Sequence, residues 1–347
     1  MKQQIIDLWK IAFGDTDEFI RLWFDRVYKD EQTLVVRQNG HIVSALQILP
    51  YKMTYCGTTL PAGYICGVCT LPSERGKGFM KQLMYQAVNE MHNLGYALAV
   101  LIPATPALFD LYRRFAFADA FDYATEEIQC TKPPKTQCSH QTQFSGQTQF
   151  SDHTQFSRQT QFSRQCEHSE AIREIEMQQI ISIDHHLSDV IYPYYHAKQQ
   201  ERDCTVLHSS FQFETIVRDR LLGGCEIWVA LTKEQPVGLA LTDPINDKSL
   251  SIREIIYDDP EIKNRLVQSM LNRRHLNSAI LRIPPTPSNC HPYGMARILN
   301  KEQMTDLYRS FHTHAPLHGL NNQDIPALTQ ILLHYDRRTA CMNLMLD

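Results

Sequence analysis

The sequence lacks the features by which membrane and nucleic-acid-binding proteins are usually recognised. No uncharged apolar run approaches the ~18–20 residues that a membrane-spanning helix requires. Basic residues do not outnumber acidic ones, since 34 Lys and Arg stand against 38 Asp and Glu for a net charge of −4. This balance gives no electrostatic reason to expect nucleic acid or an anionic membrane as a partner.

A disulfide framework and a secretion signal are also missing. The ten cysteines are scattered without regular spacing, which favours free thiols in a reducing compartment. The first residues place Asp7 and Lys10 among apolar ones, which is typical of an amphipathic helix. Cys66 and Cys69 form a CxxC pair, but strand residues three apart point to opposite faces and no second pair follows at zinc-site spacing. We therefore expect a cytoplasmic protein without a metal site.

The chain of 347 residues is long enough for two domains, and a low-complexity segment divides it. Four copies of a six-residue unit, QTQFSG and three variants, run from Gln141 to Arg164. One Phe per copy buries too little apolar surface to offset an ordering entropy of roughly 1–2 kcal/mol per residue. We interpret the segment as a flexible loop, with an ordered or partner-binding segment as the alternative.

The residues before this segment alternate helix and strand signals, including a hairpin turn at Asn39-Gly40. The predicted helices are 5–13, 18–28, 78–94 and 106–115, and the predicted strands are 33–37, 42–49, 52–56, 64–70, 96–102 and 117–128. This order predicts a mixed α/β (α+β) sheet with inserted helices and not a regular βαβ array.

A strand-turn-helix segment from Val68 to Met80 carries the most informative chemistry. Gly76 and Gly78 would let the backbone approach a ligand, and the helix start offers unpaired N–H groups at the positive end of a dipole. These features suit a pyrophosphate, with an ordinary strand-to-helix turn as the alternative. The residues expected at this site are Val68, Cys69, Thr70, Arg75, Gly76, Lys77, Gly78, Phe79 and Met80.

The same segment resembles motif A of the GCN5-related N-acetyltransferases (GNAT), in which Arg or Gln precedes glycine positions at fixed spacing. Arg75 and Gly78 match that motif, and Met80 stands where Gly or Ala is usual. A large apolar residue at this position is similar to the enhanced-intracellular-survival (Eis-like) branch. The resemblance implies that acetyl-CoA binds here as co-substrate, with no metal.

A second segment, YRRFAF at 112–117, resembles the Y-x-R-F-G-[YF] segment of that branch, with Ala116 at the glycine position. The resemblance implies that Tyr112 donates a proton to the departing thiolate, and a helix tyrosine packed on the sheet is the alternative. It also implies that the strand end at 68–70 pairs with pantetheine amides and offers a backbone N–H to the oxyanion. A covalent role for Cys69 is the alternative to direct attack by the amine.

Resemblance to the Eis-like branch further implies that the general base is the chain's own C-terminal carboxylate, here that of Asp347. The Asp347 side chain is a second candidate, and an edge strand with a free end is the alternative for the tail. Trp23 and Phe24 lie on a predicted helix that borders the acceptor cleft in GNAT folds. They are therefore expected to line the substrate pocket, with ordinary core packing as the alternative.

Residues 169–300 repeat the strand and helix order of a GNAT half, but Asp258-Asp259 replaces the glycine turn and would repel a pyrophosphate. The resemblance implies tandem GNAT-like mixed sheets flanked by helices, the second one degenerate and free of cofactor. The segment 294–300 resembles the opening of a sterol-carrier-like domain. The predicted organisation is a catalytic GNAT domain at 1–135, a linker at 136–168, a degenerate GNAT-like domain at 169–300, and a reduced sterol-carrier-like segment at 301–347.

Two function classes follow from these observations. The first is an acetyl-CoA-dependent N-acetyltransferase that acts on a primary amine in a ternary complex. The second is a non-catalytic acyl-CoA-binding or protein-interaction module with a GNAT fold. The expected acceptor is a small amine or a lysine-bearing molecule, and the mild acidity of the chain favours a cationic one. The family resemblance also implies a homo-oligomer.

Overall fold

The computed structural model describes residues 1–131, 175–183, 187–244, 249–286, 288–312, 323–335, 340–342 and 345. The predicted linker at 136–168 and Asp347 lie outside these ranges. Within them, the α-helices are α1 (Lys2–Phe13), α2 (Asp17–Arg26), α3 (Phe79–Asn93), α4 (Pro106–Arg113), α5 (Tyr192–Gln200), α6 (Ser210–Leu222), α7 (Pro260–Arg274), α8 (Lys301–Phe311) and α9 (Ile325–Leu332). The strands are β1 (Thr33–Gln38), β2 (His41–Tyr55), β3 (Thr58–Thr70), β4 (Leu98–Leu101), β5 (Ala118–Gln129), β6 (Glu176–Ile180), β7 (Val206–Leu207), β8 (Ile227–Thr232), β9 (Gln235–Thr242), β10 (Leu250–Tyr257), β11 (Ser278–Ile283) and β12 (His291–Ile298).

Strand β2 is continuous over 15 residues, whereas the sequence predicted two strands separated near Pro50. The Pro50 carbonyl accepts a hydrogen bond from Gln212 Nε2 (2.9 Å) at the outer edge of β2, and the nitrogen of the same residue faces that edge. Strand β1 pairs with β2 only as far as Gln47. Because no described strand lies beside Pro50 on this outer edge, the missing N–H costs no strand hydrogen bond.

The strands form one mixed sheet in the order β1-β2-β3-β4-β12-β5-β11-β10-β9-β8-β6, with β7 paired to β2. Strand β12 lies between β4 and β5 and is antiparallel to both. Residues 118–123 of β5 pair with β12, and residues 124–129 pair with β11. The two halves of the molecule therefore share β5, and the second half supplies β12 to the first.

Because of this pairing, the two halves of the sheet do not divide at the predicted domain boundary, residue 300. The sequence places 291–298 in the second unit, but β12 completes the first sheet by pairing with β4. Each half nevertheless contains one parallel strand pair joined by a helix, β3-α3-β4 in the first and β10-α7-β11 in the second. A parallel pair requires such a crossover, so the repeated unit predicted from the sequence is present.

Helices cover both faces of the first half. Helix α3 packs on one face, where its buried side chains meet Ile48, Ile65 and Leu101. An alanine at Gly63 would clash with Met91 of this helix. Helices α1 and α2 pack on the other face, in a core that continues into the second half. Each large apolar side chain buried in this way stabilises the fold by about 1.5–3 kcal/mol.

Among the described residues, no helix combines the length and the apolar character needed to cross a membrane. The cysteines that the structure describes are free thiols. In the same part of the chain, no three His, Cys, Asp or Glu side chains come together as a group that could hold a metal ion.

Candidate active site

The turn after β3 leads into α3 with the glycine geometry expected from the sequence. Gly76 and Gly78 have φ angles of 81° and 85°, a left-handed conformation that favours glycine. Gly78 caps α3 without a side-chain hydrogen bond, and the first turn of the helix contains no acidic residue. No atom would lie within 4 Å of a Cβ added at either glycine. The first N–H groups of α3 are therefore free to bind an anion.

This helix start borders a cleft of about 550 Å³ between α3 and the end of α4. The cations Arg75, Lys81 and Arg114 line the cleft, while its described carboxylate, Glu74, is paired with Lys77 at 2.9 Å. Positive side chains beside a helix N-terminus suit a pyrophosphate. Of the predicted cofactor residues, those in the cleft wall are Thr70, Arg75, Gly76, Gly78, Phe79 and Met80.

Strand β3 leaves β4 before it reaches this turn. The two strands pair only over Ala62–Tyr64 of β3, and β3 runs on to Thr70 with no described strand on that side. A bulge at Gly67 (φ 58°) lies under Trp9, whose ring would be 2.7 Å from an added Cβ. The strand edge at 68–70 is therefore open to pairing with an extended ligand.

The same bulge corrects the interpretation of the two neighbouring thiols. Cys66 and Cys69 were predicted to face opposite sides of the strand, but the extra residue brings both into one buried cluster. Burial raises the pKa of the Cys69 thiol to about 12, although a hydrogen bond with the Ala45 backbone lowers it in part. A thiol with this pKa stays protonated at neutral pH, which disfavours Cys69 as a covalent nucleophile.

Tyr112 lies in the last turn of α4, and the end of that helix fixes its position. Ala116 has a left-handed conformation (φ 58°) in the Schellman turn that closes α4, at the position where the resembled motif has glycine. The Phe115 carbonyl in the same turn accepts a hydrogen bond from Arg297 on β12. The helix that carries Tyr112 is thus held by a strand from the other half of the chain.

The environment of Tyr112 keeps its hydroxyl protonated. The side chain is 6% exposed and packs against Phe117, with ring centroids 6.3 Å apart. Burial raises the pKa of Tyr112 to about 12, and the neighbouring Cys66 adds to the shift. The structure therefore shows a packed tyrosine that is not part of the described cleft wall, and its role as proton donor stays a prediction.

Trp23 and Phe24 belong to the aromatic core and do not line the cavity of about 620 Å³ at the edge of β2. The Trp23 ring is tilted against that of Trp9 (centroids 5.1 Å apart) and donates its indole N–H to Gln47 Oε1 at 3.1 Å. Phe24 meets Trp9 edge-on at 5.6 Å. Core packing, the alternative interpretation, therefore describes both residues. Helix α2 turns the face that carries them toward the sheet and contributes Arg26 to the cavity instead.

A cavity of about 620 Å³, here termed the edge cavity, lies at the outer edge of β2 between the two halves. Its walls are the end of α2, residues 49–52 of β2, helix α5 and the start of α6. Tyr51 contributes to the lining, and burial with a contribution from Cys66 raises the pKa of Tyr51. Tyr51 lies opposite Ala62 and meets the ring of Tyr64 edge-on, with centroids 5.9 Å apart, so the edge cavity lies beside the part of β3 that still pairs with β4.

The predicted base, Asp347, lies outside the described residues, so its position in the site stays a prediction. The described part of the tail is built into the core. The Cys341 N–H donates to the Cys204 carbonyl at 3.0 Å, and the Cys341 carbonyl accepts from the Val206 N–H at 2.9 Å. Met345 is fully buried.

The corresponding helix start in the second half is closed to anions. Asp259 caps α7 by accepting a hydrogen bond from the Glu261 N–H at 2.7 Å. Asp258 is paired with Lys198 at 2.9 Å. A carboxylate therefore occupies the place that the open N-terminus of α3 leaves free, as expected for a half without a cofactor.

Three residues of the site, Lys81, Arg114 and Arg297, were not predicted from the sequence. Arg114 lines the cleft and belongs to the YRRFAF segment, so that motif could have predicted its place in the site. Arg297 is 182 residues away from Phe115, whose carbonyl it contacts, and no local pattern indicates that contact.

Comparisons with known proteins agree with this architecture. A family model described as an acetyltransferase (GNAT) domain matches residues 2–120. No curated protein matches the sequence.

Several solved structures share the fold at low sequence identity. A GCN5-related N-acetyltransferase from Anabaena variabilis is 16% identical, with 88% of this chain and 72% of that chain covered and a TM-score of 0.60. Eis1 from Mycobacterium abscessus is 12% identical, with coverage of 88% and 72% and a TM-score of 0.59. A GCN5-related N-acetyltransferase from Kribbella flavida is 15% identical, with coverage of 87% and 70% and a TM-score of 0.58. Residues 2–120 thus match the acetyltransferase (GNAT) family model, and the described chain shares the fold of these three solved structures.

Proposed function

We propose that the protein is an acetyl-CoA-dependent N-acetyltransferase that moves an acetyl group to a primary amine by direct attack. The observation that carries this proposal is the uncapped glycine start of α3, which opens into a positively charged cleft beside the free edge of β3. The N–H groups of α3 bind the pyrophosphate, with Arg75 and Arg114 beside them. Residues 68–70 of β3 hold the pantetheine arm.

The proposed chemistry assigns a separate role to the end of β3, to Tyr112 and to Cys69. A backbone N–H of the strand end stabilises the oxyanion, a contribution typically worth ~10²–10³ in rate. Tyr112 donates a proton to the departing thiolate, whose conjugate thiol has a pKa near ~8.5. Cys69 stays a neutral thiol, which supports direct attack in a ternary complex over a covalent intermediate.

The proposed general base is the C-terminal carboxylate of Asp347, which removes a proton from the attacking ammonium. A lysine-like amine has a pKa near ~10.4 and must lose a proton before it can attack. A chain that ends at Met345, which keeps the last described core residue, is expected to lose most of its turnover and to keep its affinity for acetyl-CoA. Unchanged turnover in that chain would remove Asp347 from the mechanism.

Binding of acetyl-CoA, measured by isothermal titration calorimetry, tests the cleft directly. Gly78→Glu places a carboxylate at the N-terminus of α3 and is expected to weaken binding by ~100-fold or more. Gly40→Glu is a matched control, since Gly40 also has a positive φ (82°) and open space but lies in the β1–β2 turn. The proposal fails if the intact protein binds no acetyl-CoA, or if Gly78→Glu binds it as tightly as Gly40→Glu.

Release of coenzyme A across a panel of primary amines then separates catalysis from binding alone. Turnover with any amine supports the transferase. Tight binding of acetyl-CoA without turnover of any amine would support a non-catalytic acyl-CoA-binding module instead.

A further inference from the structure

The edge cavity lies one strand away from residues 61–64 of β3, which lead to the strand end proposed to hold the pantetheine arm. It occupies the gap at the edge of β2 between its pairing with β1, which ends at Gln47, and its pairing with β7, which begins at Lys52. The residues of β2 that line the cavity, 49–52, pair with residues 61–64 of β3, and β3 leaves β4 after the last of these. Neighbouring strands are about 5 Å apart, so a ligand in this cavity can reach that point.

The charged side chains that line the edge cavity are all basic. Arg26, Lys29 and Lys52 contribute to the wall, and no described Asp or Glu does. Arg26 is already engaged, since it pairs with Glu214 at 3.1 Å and lies over the ring of Phe211 at 4.6 Å. Lys29 and Lys52 are exposed, and neither forms an ion pair with any carboxylate in the described part of the chain. Two positive charges therefore remain at the rim of the cavity for a ligand.

Tyr51 and His208 belong to the cavity lining, and the buried Tyr195 packs behind them. Tyr51 meets the ring of His208 edge-on, with centroids 5.5 Å apart, and His208 Nδ1 lies 3.0 Å from the Tyr195 hydroxyl. Raised pKa values keep both tyrosines protonated, because burial disfavours their charged forms. A volume of about 620 Å³ is in the range of small-molecule sites.

From this arrangement we infer that the acceptor is a small amine that also carries an anionic group, a carboxylate or a phosphate. Its amine faces Tyr51 and the point where β3 leaves β4, and its anionic group lies between Lys29 and Lys52. The inference rests on the proposed acetyltransferase function and names the substrate class of that site. It differs from the cationic acceptor expected from net charge, because the charge that a ligand meets is that of the cavity wall and not of the whole chain.

A series of linear amines that differ only at the far end tests this inference. The probes are 6-aminohexanoate, 6-aminohexyl phosphate, the neutral 6-aminohexanamide and the cationic 1,6-diaminohexane. Their binding is measured by ligand-observed NMR with the full chain in the presence of coenzyme A, and kcat/KM is measured in parallel by coenzyme A release. We expect the anionic probes to bind at least ten-fold more tightly than the diamine. The comparison of carboxylate with phosphate identifies which anion fits.

Charge reversal at the rim provides the decisive control. Lys52→Glu is expected to remove the preference for the anionic probes. Lys233→Glu changes the net charge equally, but lies in the β8–β9 turn away from the cavity wall, and should leave the preference intact. Preferred binding of the diamine, or an unchanged preference in Lys52→Glu, would overturn the inference. If the preference is present but no probe is acetylated, the proposed transferase activity fails and the inferred charge selectivity of the cavity stands.

Discussion

The hydroxyl of Tyr112 is the side-chain group on which the proposed chemistry most directly depends. Tyr112→Phe is expected to lower kcat by ~10²-fold or more with little change in acetyl-CoA affinity, because it removes a proton donor and not a binding contact. Tyr96→Phe is a suitable control, since Tyr96 packs against the same core cluster as Tyr112 but has no proposed role in the chemistry. Wild-type kcat in Tyr112→Phe would exclude the proposed role.

The pH dependence of kcat follows from the same side chain. Burial raises the pKa of Tyr112 to about 12, so its proton stays bound until the pH approaches that value. We therefore expect no loss of kcat from the donor between neutral pH and about pH 10, where an ordinary tyrosine begins to ionise. A pH–rate profile of the wild type, compared with Tyr112→Phe, measures this. An alkaline loss centred below pH ~9 that is absent in the variant would contradict it.

Single residues also show where local strain is tolerated. Ala116 adopts a left-handed conformation that costs a non-glycine residue roughly 1–2 kcal/mol, in the turn that sets the position of Tyr112. The hydrogen bond from Arg297 to Phe115 holds this turn. The sequence showed the substitution at 116, and the structure shows that glycine is favoured there because of the backbone conformation.

At the scale of elements, the bulge in β3 decides where the strand parts from β4. Gly67→Ala is expected to lower the free energy of unfolding by more than Gly14→Ala, as measured by chemical denaturation. Both changes place alanine at a positive φ (58° and 69°), at roughly 1–2 kcal/mol each. Only the Cβ at 67 would also meet Trp9, at 2.7 Å, and overpacking of this kind adds ~1–3 kcal/mol. Equal losses would show that Trp9 does not support the bulge.

The starts of α3 and α7 show how well the sequence predicts whether a helix N-terminus is capped. Gly76 and Gly78 predicted an open helix start, and Asp258-Asp259 predicted one closed to phosphate. Both predictions agree with the structure, since α3 has no side-chain cap and Asp259 caps α7. They succeeded because capping is decided by residues next to each other in the chain. The sequence wrongly predicted a break in the strand at Pro50, where the outer edge of β2 is open because β1 has ended. The end of β1 is not visible from the residues around Pro50.

At the scale of the whole molecule, the exchange of β12 makes the first half dependent on the second. Residues 1–131 produced alone would lack the strand that lies between β4 and β5, and would expose two unpaired strand edges. We expect this fragment to aggregate or to bind no acetyl-CoA, and co-expression with residues 175–347 to restore binding. Size-exclusion chromatography and calorimetry measure both outcomes. A soluble 1–131 fragment that binds acetyl-CoA like the full chain would contradict the prediction.

The sequence by itself determined what neighbouring residues decide: the helices and most strands, the glycine turn at 76–78, and the Tyr112 segment. Only the tertiary structure decided that β12 enters the first sheet, that Trp23 and Phe24 are core residues, and that Lys29 and Lys52 border one cavity. Backbone conformation and capping depend on contacts within a few residues, which a linear pattern records. Strand exchange and cavity walls depend on contacts between residues far apart in the chain, such as Arg297 with Phe115, whose pairing no local pattern encodes.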